Sequence, residues 1–126
     1  MPFDYRIDVA RRLVLSTGQG RVTFADVKAH QDRLLSDPHF DPSFNQLNDL
    51  VAVTHLVVSG EQGRNLASRH VFSPASKRAI VAVNPHVFGL ARLMQTYHSL
   101  AEGGSEVRVF SNLDAALEWL GLKQSP

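Results

Sequence analysis

The stretch Asn45–Leu66, NQLNDLVAVTHLVVSGEQGRNL, decides how this chain folds. It opens on an apolar strand pattern and closes on a helix start. Phe44, Leu47 and Leu50 are expected inside, although Gln46 and Asn48 interrupt a simple alternation. Val51–Val58 is rich in β-branched residues, yet it follows Asp49. It admits both a strand and a loop turning at Ala52-Val53-Thr54. Ser59 has the character of an N-cap, with Gln62 at the capping-box position, so a short helix is expected to run to about Arg69. A strand that delivers the chain to a helix N-terminus leaves backbone N–H groups open at one point. In α/β domains ligands and partners meet the protein there, beyond the carboxyl ends of the strands.

Toward the N-terminus, Tyr5, Ile7 and Val9 alternate with Arg6 and Asp8, as in a half-buried strand. Arg11-Arg12 makes a turn and Leu13-Val14-Leu15 begins a second strand. The connection is too short for a parallel crossover, so the two form a hairpin. Gly18-Gln19-Gly20 is expected to break the second strand. Thr23 and Asp26 start a helix, with Phe24, Val27, Gln31 and Leu34/Leu35 on one side and Asp37-Pro38 as its stop.

Toward the C-terminus, Arg78–Val83 is a continuous apolar run of the kind found in strands covered on both faces. Asn84-Pro85 opens a helix over 85–102. Glu106–Phe110 alternates as a last strand. Ser111 and Asp114 then cap a final helix whose inner face is Leu113, Ala116, Leu117 and Leu120, with Gly121 as its stop. The order β-β-α-β-α-β-α-β-α predicts an α/β fold: a five-stranded mixed sheet with an antiparallel hairpin at its edge, in a single domain over 1–126.

Composition narrows the function classes. With 44% hydrophobic and 20% charged residues in 126, the chain can bury a core without staples. Thirteen Lys and Arg against twelve Asp and Glu leave no basic face for nucleic acid. No apolar run approaches the ~20 residues of a membrane span. Asp4 and Asp8 stand where a signal peptide carries positive charge, and there is no cysteine for disulfides or thiolate metal sites. The expectation is a cytosolic protein without cofactor.

Val109-Phe110 leading into Leu113-Asp114-x-Ala116-Leu117-x-Trp119-Leu120, together with Asp49-Leu50, Val53-Thr54 and Ser59-Gly60, resembles the STAS domains of anti-sigma-factor antagonists. It is similar above all to the small bacterial SpoIIAA-like proteins, which share an α/β fold class with STAS and lipid-binding SEC14 domains. The resemblance spans nearly the whole chain as a pattern of elements. It implies a non-catalytic regulatory or protein-interaction domain, with a SEC14-like binder of a small apolar ligand or lipid as the alternative. The family's switch motif is Asp-Ser-Ser-Gly, with one serine phosphorylated. Here Val57-Val58 replace the acid and the first serine, and Ser59 alone matches the second.

Two groups of residues follow as candidates. Thr54, His55, Ser59, Gly60 and Arg64 would form a partner-binding edge, with Ser59 as its only candidate phosphosite. Serine at a helix start most often simply caps it. Phe88, Leu93, Met94 and Tyr97 widen the apolar surface of helix 85–102 beyond one core stripe, as a ligand pocket or a homodimer contact would require. Arg64, Arg69, His70, Lys77 and Arg78 cluster in sequence as a secondary anion patch.

Other motifs carry less. Gly60-Glu61-Gln62-Gly63 has KH-loop spacing but brings a negative charge. The six histidines show no metal-ligand pairing, and no serine sits in a nucleophile elbow. No metal site and no catalytic residue is expected.

Overall fold

The alternation at the start of the chain builds a hairpin in which β1 (Phe3–Asp8) lies antiparallel to β2 (Leu13–Thr23). Arg12 N donates to Val9 O at 3.1 Å to close the turn, with Arg12 left-handed at φ 53°. The computed structural model describes residues 2–101 and 103–122. Beyond the hairpin come α1 (Phe24–Leu35), β3 (Asn45–Val57), α2 (Gly60–Ser68), β4 (Lys77–Val81), α3 (Pro85–Leu100), β5 (Glu106–Phe110) and α4 (Leu113–Trp119). The spatial order is β1-β2-β3-β4-β5, and every pair after the hairpin is parallel.

This order dictates the layers. Each crossover steps to the next strand in one direction, so right-handed connections put α1, α2 and α3 on the same face. α4 covers the other face, where Ala116 and Leu117 join Leu13, Leu47, Ala79 and Val81 in one cluster. On the three-helix side, Val14, Leu34, Phe44, Val71 and Phe72 make one cluster, and Val22, Val53, Leu56 and Val87 belong to a second. Val14, Leu34 and Val87 are fully buried. Such side chains each stabilise the fold by roughly 1.5–3 kcal/mol relative to exposure.

The caps follow local chemistry. Thr23 with Asp26, and Ser59 with Gln62, form reciprocal capping boxes, and Asn84 caps α3 ahead of Pro85. At α4 the cap is Asn112 and not Ser111, because the Asn112 side chain accepts from Ala115 N at 2.8 Å. β4 stops at Val81, two residues before the expected end, and Val83 is already 58% exposed. Residue 102, the expected end of the third helix, lies outside the described residues, as do Met1 and residues 123–126 of the expected domain.

The glycines at 18 and 20 do not end β2, which continues to Thr23. Register shifts between Thr17 and Gln19, and between Gly20 and Arg21, absorb them as bulges. A β-carbon on Gly18 would sit 2.7 Å from Val53 Cγ2, so the close approach of β3 excludes a side chain there. Because β2 continues, Val51–Val57 finds a partner and is strand: Val53 pairs with Gly20, His55 with Arg21 and Val57 with Thr23. β4 pairs with β3 only over Gln46–Asp49, so the later halves of β2 and β3 extend beyond the sheet as a two-stranded ribbon. One side of the ribbon buries Val22, Val53 and Leu56; Val51 and Val57 remain exposed. No helix among the described residues is long and apolar enough to cross a membrane.

Candidate functional site

Where a covered sheet normally carries apolar side chains, the centre of this one carries polar ones. Strand alternation places Gln46 and Asn48 on the three-helix face with Leu50. They are 1%, 6% and 8% exposed in that order. Ser16 of β2 stands beside Asn48, and Arg78 of β4 stands beside Gln46. Burying such groups without partners costs several kcal/mol, so their bonds must be accounted for.

Arg78 sets the sense of the network, because a guanidinium can only donate. Its Nε donates to Gln46 Oε1 at 2.8 Å. That orients the Gln46 amide so that Nε2 donates to Ser16 Oγ at 2.9 Å. The Ser16 hydroxyl in turn lies 2.8 Å from His30 Nε2 and bonds it. On the other side, Arg78 Nη1 lies 3.2 Å from His98 Nε2, which must therefore accept. His98 then carries its proton on Nδ1 and donates to Met94 O at 2.9 Å. The Arg78 cation thus assigns the tautomer of His98, which is neutral.

Electrostatics agree with this assignment. Burial, then the nearby guanidiniums of Arg33 and Arg78, push His30 down to about 3. Burial, then Arg78, push His98 down to about 4. Arg78 retains some accessible surface, but its guanidinium is dehydrated deeply enough to fall to about 10. It stacks over the Phe72 ring at 4.5 Å.

Above this polar floor is a cavity of about 100 Å³ between the sheet and α1, α2 and α3. Its walls are apolar, with Val22, Leu34, Leu50, Leu66, Ile80 and Met94 among them, while Arg78, Asn48, His30 and His98 also line it. A dry engineered cavity of ~150 Å³ takes up benzene. The space here therefore suits a molecule of a few carbons.

The residues singled out from sequence fall in two places. Thr54 and His55 lie exposed on the ribbon, with Thr54 Oγ1 3.1 Å from His55 Nδ1. Ser59 is exposed and its hydroxyl accepts from Gln62 N at 3.1 Å, which is the capping bond. Gly60 and Arg64 meet α3: a β-carbon on Gly60 would lie 3.1 Å from Tyr97 Oη, and Arg64 stacks over the Tyr97 ring at 5.6 Å. The α2–α3 seam thus joins part of the expected edge to Tyr97. Of the four α3 residues, Met94 lines the cavity, Phe88 packs against the core and Leu93 is 39% exposed.

The expected basic cluster disperses. Arg69 bonds Asp32 and Gln31 of α1, Lys77 faces the Trp119 ring, and Arg78 turns inward. Sequence reasoning thus missed Arg78, Asn48, Ser16, His30 and His98 as a group. Strand parity was the available signal, since Lys77 and Arg78 cannot share a face.

No family model matches the chain, and no curated protein matches it by sequence. Among solved structures, an uncharacterized protein from the DUF3478 family with a SpoIIAA-like fold, from Shewanella loihica PV-4, is similar to it. The two share 18% identity and superpose with a TM-score of 0.56, over 86% of this chain and 83% of that one. The fold is SpoIIAA-like. At this identity the likeness covers architecture alone, and within the SpoIIAA-like frame the polar floor and cavity are features of this chain's own side chains.

Proposed function

We propose that this SpoIIAA-like chain is a non-catalytic binding domain that holds a small apolar molecule in the cavity between the sheet and α1–α3. The observation that supports the reading is the cavity itself, about 100 Å³ of largely apolar-walled space between the sheet and three helices. No chemical step is assigned, since the Ser59 hydroxyl is engaged in capping and the two buried histidines are held neutral. The absence of cysteine suits a cytosolic setting. The test is thermal unfolding of the full chain with 1-propanol or 1-butanol at low concentration. A saturable rise in midpoint is expected, and Ala91→Leu, which fills the cavity wall, abolishes it. No rise with either probe refutes the reading.

A second reading has its own support. Thr54, His55, Ser59 and Arg64 are all exposed, beside a ribbon that leaves Val51 51% and Val57 43% exposed. An edge of this kind suits a protein partner, or a second copy of the chain in a homodimer, gathered by apolar contact with a polar rim. Sedimentation velocity across a hundredfold concentration range tests the homodimer, with Val51→Asp and Val57→Asp expected to return any dimer to monomer. For a different partner, a bait carrying His55→Glu and Arg64→Glu that keeps every partner of the parent chain refutes the edge.

A further inference from the structure

The cavity that supports the binding reading is apolar in its walls but not in its charge. Among the described residues no carboxylate lies within 4 Å of the Arg78 guanidinium, whereas the five ion pairs there involve other cations. Its hydrogen bonds leave from Nε, to Gln46, and from Nη1, to His98 and more weakly to Ser105 at 3.5 Å. Nη2 takes part in none of them, so two of its five N–H donors remain open. The neighbouring histidines contribute no negative charge, and their neutral rings already serve the polar chain.

A second group points the same way. The Asn48 side chain is 94% buried, lines the cavity and makes no hydrogen bond among the described residues. Arg78 pairs across from Gln46, so Asn48, two residues along β3 on the same face, is its diagonal neighbour. Buried polar side chains are nearly always bonded, and Arg78 and Asn48, which both line the cavity, together keep unused N–H donors there.

We infer that the cavity takes a short monocarboxylic acid, its carboxylate accepting from Arg78 Nη2 and the Asn48 amide while its hydrocarbon fills the apolar space. This rests on the cavity reading above and adds the head group to it. A planar carboxylate suits a guanidinium and supplies the missing counter-charge. A phosphate dianion would bring a second charge into apolar walls with nothing to match it. The volume sets the tail: a cavity of ~150 Å³ takes the six carbons of benzene, so about 100 Å³ takes about four heavy atoms, and the acid has about two to four carbons.

The experiment uses the full chain at pH 7.5 and constant ionic strength, titrated calorimetrically with sodium propionate, 1-propanol and propylammonium chloride. Propionate is expected to bind at least tenfold more tightly than propanol, and propylammonium not to bind. Arg78→Met removes the preference and leaves propanol binding in place. Should that variant fail to fold, Asn48→Leu serves instead, weakening propionate several-fold with propanol unchanged. Propanol equal to propionate overturns the inference while the cavity reading stands. No binding by any of the three removes both.

Discussion

Acidification to pH 5 should destabilise this protein by about 4 kcal/mol, because His30 and His98 are buried in forms that cannot accept a proton. In the unfolded chain both rings titrate near 6.5. In the folded chain His98 is pushed down to about 4 and His30 to about 3. Between those values and 6.5 the unfolded chain binds protons that the folded chain refuses, so lowering the pH favours unfolding. The stability is complete above pH 6.5 and is lost as pH falls toward the folded values. At pH 5 the difference is roughly 2 kcal/mol for each ring. The surroundings explain the refusal: His98 Nε2 faces the Arg78 cation, and His30 is buried near the guanidiniums of Arg33 and Arg78.

Urea unfolding followed by circular dichroism at pH 7 and pH 5 measures this directly. The midpoint should fall by about 1.5–3 M, for a slope of ~1.5–2.5 kcal/mol per M. Asp4, Asp32, Asp37 and Asp41 also have lowered values in the folded chain. Their contribution is lost only as pH falls below about 4, so it does not mimic the effect at pH 5. His98→Gln, which keeps an acceptor for Arg78, should roughly halve the loss. Equal pH dependence in the two proteins, or His30 and His98 resonances that titrate near 6.5 in the folded state, would refute the buried neutral assignment.

Two further outcomes are expected. Gly18→Ala places a β-carbon 2.7 Å from Val53 Cγ2, so it should cost about 1–3 kcal/mol in chemical denaturation, with partial recovery when Val53 is also cut to Ala. Ser59→Ala removes one half of the α2 capping box and should cost about 1 kcal/mol by the same assay, and a loss below ~0.3 kcal/mol would show that the cap is not what holds that helix start.

What was legible in the sequence was mostly local. A capping box needs only two residues three apart, so Ser59 with Gln62 and Thr23 with Asp26 could be read without knowing any neighbour. The order of strands and helices came from periodicity in the same way. Val51–Val57 stayed open because its state depends on whether β2 continues past Gly18 and Gly20, which is a question about a partner strand. Glycine reads as a break when seen alone and as room for Val53 once β3 is beside it. The polar floor was hidden for a related reason. Gln46 and Asn48 were visible as interruptions, but only register brings Arg78 opposite Gln46 and Ser16 opposite Asn48.

The strand order bears on where a ligand should sit. Open α/β sheets usually bind at the crevice where the strand order reverses direction, beyond the carboxyl ends of the strands. Here the order runs from β1 to β5 without reversal, so crossovers do not diverge to open faces at any carboxyl edge. The Thr54–Arg64 edge therefore lacks the crevice that makes such positions attractive to small molecules, although it remains available to a flat partner surface. Space for a small ligand exists instead between layers, where three helices share one face and the β3–β4 pair supplies donors from beneath. A ligand held there meets the ribbon only through its buried side, at Val22 and Leu56, and not through the exposed Thr54 and His55. Thr54→Ala and His55→Ala should leave propionate affinity within twofold of the parent chain by calorimetry, whereas a tenfold loss in either would move the site to the strand ends and refute the interlayer assignment.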